Sequence, residues 1–148
     1  MASDDDSDPL PRRVPLDRPR PLSSDERALL DRLVAQLAVP ELTEQAATAR
    51  VVGTCSCGCP SIAFEADGPL VPEDVVVVHE PVGRDDYMMV EAWGRNASRH
   101  TVFVTLHVVF GRLDEMEVWA RWDGKTAPET DLPPADTLDF SQDFDEKE

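Results

Sequence analysis

The sequence predicts an α+β domain in which an N-terminal pair of helices packs on an antiparallel meander sheet of about five or six strands. Helical spacing of apolar residues is confined to residues 23–50, whereas from residue 51 onward apolar residues tend to recur at every second position. The strand patterns follow one another without alternating helices, which favours antiparallel over parallel pairing. We expect one domain over residues 22–130, between disordered tails at residues 1–21 and 131–148.

The first tail has a composition that disfavours folding. Residues 1–21 contain five prolines and four arginines among several aspartates, and they offer little apolar surface for burial. Residues 1–6 are acidic and contain no apolar segment, which predicts no secretory signal and a cytoplasmic location. The sequence contains no apolar run of the ~18 residues that a membrane span requires.

Two helices are expected next. Ser23 and Glu26 form a capping box, in which the serine hydroxyl accepts from the Glu26 amide and the glutamate side chain reaches back to the Ser23 amide. An apolar stripe follows and Pro40 ends it, after which a shorter helix over residues 41–50 completes the pair. The stripe comprises Leu29, Leu30, Leu33, Val34 and Leu37.

Strand patterns occupy most of the rest of the chain. Alternation of apolar and polar residues predicts strands near residues 62–66, 87–93, 101–110 and 113–121. Residues 75–79 form a continuous β-branched run that ends in histidine, and this run predicts a strand covered on both faces. The last strand alternates acidic with apolar residues, so we expect a strongly negative solvent face.

All 3 cysteines of the chain lie in one segment at alternate positions, as Cys55, Cys57 and Cys59. In an extended chain the first and last of them would be about 13 Å apart. That separation is too large for one tetrahedral ion with metal–sulfur bonds of about 2.3 Å. A shared metal therefore requires the loop to curl, which Gly58 and Pro60 permit through their backbone preferences.

These cysteines have three alternative interpretations. The favoured one is packing, because free cysteine is among the most buried residue types and a second C-x-x-C knuckle is missing. The second is a Zn²⁺ or Cu⁺ site, with His79 or His107 on predicted strands as further ligands. The third is redox or nucleophilic chemistry at a thiol, and a disulfide within the C-x-C spacing is disfavoured by geometry.

The formal net charge of −16 limits the classes of partner. Phosphate backbones and anionic membranes require Lys/Arg surfaces, so we expect no nucleic-acid or membrane binding and a protein partner with a basic surface. The sequence contains no phosphate-binding glycine loop, G-x-S-x-G elbow or H-E-x-x-H motif. We therefore predict a small binding or regulatory protein without catalytic activity, of the immunity or adaptor type.

Two groups of apolar residues are candidates for partner or ligand contacts. Leu138, Phe140 and Phe144 lie among acidic residues in the second tail, a composition typical of segments that dock in apolar grooves with basic rims. Aromatic residues that include Trp93 and Trp119 could line a groove on one face of the sheet, although such residues more often belong to the core and its rim.

Three segments carry a resemblance. They read Ala-Arg-Val-Val-Gly at residues 49–53, Cys-Gly-Cys-Pro-Ser-Ile at residues 57–62 and Gly-Arg-Leu-Asp-Glu-Met-Glu-Val at residues 111–118. Together they resemble a group of short, uncharacterised bacterial proteins over residues 21–135. The resemblance implies no established activity, so it assigns no role to any residue.

Overall fold

The computed structural model describes residues 12–79, 87–120 and 131–140. Within this part of the chain the α+β class is confirmed. None of the helices described there is both long and apolar enough to cross a membrane. The elements are β1 (Arg13–Pro21), α1 (Ser24–Leu37), α2 (Pro40–Thr48), β2 (Arg50–Cys55), β3 (Ile62–Glu65), α3 (Glu73–His79), β4 (Tyr87–Arg95), β5 (Thr101–Val109), β6 (Arg112–Ala120) and a 3₁₀ turn (Ala135–Thr137).

The described strands form one six-stranded sheet in the order β1-β2-β3-β6-β5-β4. Every neighbouring pair is antiparallel, and β4, β5 and β6 form the predicted meander. One face of the sheet contributes to a single buried apolar cluster that also contains residues of all three helices. The helices therefore pack on this face, which we call the inner face, and the opposite face is the outer face.

Helix α1 begins as predicted from its capping box. The Glu26 amide donates to Ser23 Oγ at 3.1 Å, and the Ser23 amide donates to Glu26 Oε1 at 2.8 Å. All five residues of the predicted apolar stripe are buried. The helix ends at Ala38, whose φ of 57° lies in the left-handed region, and Pro40 then opens α2.

A buried glutamine connects α2 to the sheet. Gln45 is 0% exposed, and its amide nitrogen donates to the carbonyls of Pro69 at 2.7 Å and Gly111 at 2.9 Å. Its side-chain oxygen accepts from the Leu113 amide at 2.8 Å. The side chain thus connects α2 to the Pro69 carbonyl and to the β5–β6 turn, where it accepts from the buried Leu113 amide.

The prediction of a strand at residues 75–79 is wrong, because these residues belong to α3. The Val75 and Val76 amides both donate to the Pro72 carbonyl, at 3.0 and 3.1 Å, and this starts a helical turn. Glu73 and Asp74 lie in the first turn, where their negative charges stabilise the helix by interacting with the positive end of its dipole. The strand preference of β-branched residues depends on context, and here Val76 is buried in the apolar cluster of the inner face.

Disorder predicted for residues 1–21 does not extend to residues 13–21, which form β1. This strand pairs with β2 at the edge of the sheet, with a register shift between Pro15 and Arg20. An edge strand tolerates proline, because one side of its backbone needs no partner. Side-chain contacts add to this pairing, since Leu16 packs against the buried cluster and Arg20 forms two contacts with Glu26 at 2.9 and 3.0 Å.

The described part of the second tail is also structured. Residues 131–140 include the 3₁₀ turn, and Leu138 is 6% exposed within the buried cluster. Asp139 exchanges two backbone hydrogen bonds with Trp93, at 2.9 and 2.8 Å. These residues thus extend the free edge of β4, while residues 1–11 and 141–148 lie outside the described residues.

Candidate metal centre

The three cysteines lie where β2 ends and the chain turns toward β3. The Gly58 amide donates to the Cys55 carbonyl at 3.1 Å, which closes a tight turn. Gly58 adopts a φ of 86°, in the left-handed region that glycine enters without steric cost. The turn supplies the curl that a shared metal requires, at the glycine predicted to permit it.

The curl brings the three sulfurs together. The Sγ atoms of Cys55, Cys57 and Cys59 all lie within 4.8 Å of one another, and the first two are 3.2 Å apart. Thiolates around one tetrahedral ion with bonds of about 2.3 Å lie about 3.8 Å from each other. Small adjustments of three free thiols therefore suffice to form a common ligand set.

A serine anchors the third cysteine to the sheet. Ser61 Oγ accepts from the Val118 amide at 2.8 Å and donates to the Val118 carbonyl at 3.2 Å, so it is tied to β6. The same oxygen accepts from Cys59 Sγ at 3.2 Å. The position of Cys59 is thus set by a strand more than fifty residues away in sequence, and our sequence analysis missed this role of Ser61.

A second contact fastens the loop to β1. The Ser56 amide donates to the Arg12 carbonyl at 2.8 Å, and the Arg12 amide donates to Ser56 Oγ at 3.0 Å. The pairing of Arg13 with Cys55 continues this contact into β1. Arg12, just before β1, therefore fixes the cysteine loop at Ser56.

The interpretation of the cysteines as buried filler is wrong. Cys57 is exposed, Cys55 and Cys59 are half-buried, and none of them belongs to the apolar cluster. Cysteines that fill a core would lose their contact with solvent. These sulfurs instead face one another at the accessible end of the sheet.

The thiols differ in acidity. Burial raises the pKa of Cys55 to about 11, and the neighbouring thiols of Cys57 and Cys59 add to the increase. Burial also raises the pKa of Cys57, but hydrogen bonds with Cys59 and Cys55 outweigh it and the net shift is downward. Cys57 thus loses its proton, as metal binding requires, more readily than Cys55 does.

The structure does not bring His107 to the sulfurs. Its Nδ1 atom lies 2.6 Å from the Tyr87 hydroxyl, and its Nε2 atom lies 2.9 Å from Glu117 Oε1. Among the described residues, the cysteine cluster is the group with three ligand atoms close enough for one ion. His79 closes α3 rather than a strand, and its side chain lies outside the described residues.

The predicted partner-binding residues pack on the domain where they are described. Leu138 is buried, and Phe140 is partly buried with the Arg32 guanidinium 5.2 Å from its ring centre. A partner would have to displace them from these positions. That they bind a partner stays a prediction, and Phe144 lies outside the described residues.

Comparison with protein-family models, curated proteins and solved structures finds no match for this chain. The resemblance to short bacterial proteins stays a prediction. The geometry of the cysteine cluster therefore carries the functional argument.

Proposed function

We propose that the protein binds one thiophilic metal ion, Zn²⁺ or Cu⁺, through Cys55, Cys57 and Cys59. The observation that carries the proposal is the approach of the three sulfurs to within 4.8 Å of one another. Thiolate ligands favour Zn²⁺ and Cu⁺, whereas Mg²⁺ and Ca²⁺ prefer oxygen. The donor set thus selects the metal class.

Three protein donors suit an ion that is exchanged. Structural zinc sites use four protein ligands, whereas sites with three leave a position for water or another molecule. Cys57 is exposed, so an incoming ligand can reach the ion from solvent. We therefore assign the protein to metal handling, meaning that it takes up and releases the ion, rather than to permanent structural metal binding.

Metal binding also orders the loop. Each ligand must be deprotonated, and the energy of binding contributes to holding the curled conformation. The anchors of that conformation are the Ser61 contact with Val118 and the Ser56 contact with Arg12. Loading the site is thus expected to tighten the attachment of β1 to the sheet.

Cobalt titration tests the proposal. Co²⁺ takes the place of Zn²⁺, and thiolate ligation gives charge-transfer absorption that scales with the number of sulfur ligands. We expect one equivalent to saturate the reduced chain and each of Cys55→Ser, Cys57→Ser and Cys59→Ser to reduce the absorption. Ser98→Ala, in the β4–β5 turn, is the matched control and should titrate like the wild type.

The proposal fails if the folded wild type shows no thiolate absorption with Co²⁺ and no binding of Cu⁺ against a competing chelator. It also fails if the cysteine variants titrate like the control. Circular dichroism of each variant separates loss of ligands from loss of fold.

A further inference from the structure

The outer face of the sheet carries a row of aromatic residues. Trp93, Phe103 and Trp119 are direct cross-strand neighbours on β4, β5 and β6. The Phe103 and Trp119 rings are stacked, with centroids 4.4 Å apart and planes at 16°. Trp119 is 44% exposed while Trp93 and Phe103 are half-buried, so the accessible part of the row is the Trp119 ring at its end. Tryptophan offers a partner a large apolar area together with a polar N–H group, and it is enriched at protein interfaces for this reason.

Carboxylates border this row. The next cross-strand row is Glu91, Thr105 and Glu117, in which both glutamates are exposed. The Thr105 hydroxyl donates to Glu91 Oε2 at 3.1 Å, which orients that carboxylate on the face. Glu117 lies 2.9 Å from His107 Nε2 while remaining 48% exposed. One row of aromatic rings thus lies beside one row that carries two carboxylates.

This combination matches one kind of ligand. The faces of aromatic rings attract cations, and guanidinium groups stack on them more often than ammonium groups do. Carboxylates pair with the same guanidinium in the plane of the group. The formal net charge of −16 also attracts basic partners and repels acidic ones.

The chain already binds one of its own arginines on this face. Arg13 of β1 contacts Asp114 at 2.9 Å and Glu115 at 3.6 Å. Glu115 is the cross-strand neighbour of His107, which places it on the outer face beside the acidic row. The carboxylates of β6 thus accept a guanidinium in the folded protein, while the aromatic end of the face is exposed at Trp119.

We infer that the outer face of β4–β6 binds an arginine-bearing segment of a partner protein. The guanidinium stacks on Trp119 and pairs with Glu117, and Glu91 supplies a second carboxylate for a neighbouring basic residue. This surface is formed by other residues than the cysteine cluster, so the inference does not depend on metal binding. Aromatic and arginine side chains are the commonest energetic centres of protein interfaces, which fits this choice of contact.

Peptide titration tests the inference on the full chain. The probe is a nine-residue peptide of alternating arginine and glycine, and the matched peptide carries citrulline, which keeps the shape without the charge. We expect the arginine peptide to shift the Trp119 indole resonance in ¹H–¹⁵N spectra and to bind more tightly than the citrulline peptide. Lysine in place of arginine should weaken binding, because ammonium stacks less well on indole.

Three variants separate specific from general attraction. Trp119→Ala should weaken binding of the arginine peptide about tenfold, through loss of the stacked ring. Glu117→Gln should weaken it about threefold, as expected for a partly exposed ion pair. Glu44→Gln makes the same change of charge on an exposed residue of α2, on the side of the helices, and should change affinity by less than about 1.5-fold because salt screens distant charges.

Several results would overturn the inference. Equal weakening by Glu44→Gln and Glu117→Gln would show that the peptide responds only to net charge. Full affinity in a folded Trp119→Ala variant would remove the aromatic contact from the account. Sedimentation that shows a dimer lost in Trp119→Ala, without peptide binding, would assign the face to a second copy of the chain. Peptide affinity should be unchanged in Cys57→Ser, which keeps this test separate from that of the metal site.

Discussion

The helix-covered face of the sheet and the cysteine loop at its end are held together by different forces. On the inner face, residues of all three helices and of the sheet form one apolar cluster. The cysteine loop contributes no sulfur to that cluster and depends on hydrogen bonds to Val118 and Arg12 and on the left-handed Gly58. Substitutions should therefore be able to change the stability of the fold and metal binding by the cysteines separately. Four predictions test this separation.

Leu33→Ala should give the largest loss of stability. Leu33 is 0% exposed in the middle of α1, and removal of such a side chain costs about 2–5 kcal/mol of the free energy of unfolding. Leu70→Ala is the control, because Leu70 is 54% exposed. Urea denaturation of both variants measures the difference. Similar midpoints for the two would contradict the assignment of the core, and cobalt binding by folded Leu33→Ala should remain intact.

Ser61→Ala should affect both regions, because Ser61 joins them. The substitution leaves the buried Val118 amide without its side-chain partner, which costs about 1–3 kcal/mol, and it also releases Cys59. We expect a lower melting temperature and weaker metal binding together. Ser56→Ala removes a more exposed hydroxyl contact with Arg12 and serves as the comparison. If Ser61→Ala changed neither property more than Ser56→Ala does, Ser61 would not be the anchor.

Gly58→Ala should weaken metal binding with little effect on the core. An added Cβ meets no atom within 4 Å, so the expected cost is that of the left-handed backbone, about 1–2 kcal/mol. We expect the variant to bind cobalt several-fold more weakly while it melts within a few degrees of the wild type. Gly58→Asn should lose less affinity, since asparagine adopts this conformation more readily. An unchanged affinity in Gly58→Ala would show that the curl is unnecessary.

The smallest effect concerns the order in which the thiols react. With its pKa lowered, Cys57 forms thiolate at lower pH than Cys55, whose pKa is about 11. Iodoacetamide at neutral pH should modify Cys57 before Cys55, as read by peptide mass spectrometry. Because Cys55 must lose a proton when a metal binds, metal affinity should rise with pH through the neutral range. Faster reaction at Cys55, or affinity that falls as pH rises, would contradict this assignment.

Features that depend on residues close together in the chain could be predicted from the sequence. The capping box at Ser23 and Glu26 and the alternation in β4–β6 are local signals, and both are confirmed. Residues 75–79 misled the prediction because the helix depends on acceptance by the Pro72 carbonyl and on burial of Val76, which override the strand preference of valine.

Strand β1 and the anchors of the cysteine loop could not be predicted, because both depend on contacts with other parts of the chain. Strand β1 depends on pairing with β2 and on contacts of Arg13 and Arg20 with acidic side chains, so its proline-rich composition gives no sign of it. The cysteine spacing indicated that a curl was required, and Gly58 indicated where. The anchors that produce it, Arg12 and Val118, are distant in sequence and became visible only in the folded chain.

Native mass spectrometry of the reduced full chain after loading with Zn²⁺ and removal of excess metal tests the central claim most directly. The account predicts one bound ion per chain, with the mass reduced by the protons that the thiols lose, and none in the Cys55→Ser, Cys57→Ser, Cys59→Ser triple variant. A folded wild type that retains no ion with either Zn²⁺ or Cu⁺, or a triple variant that retains as much as the wild type, would contradict it.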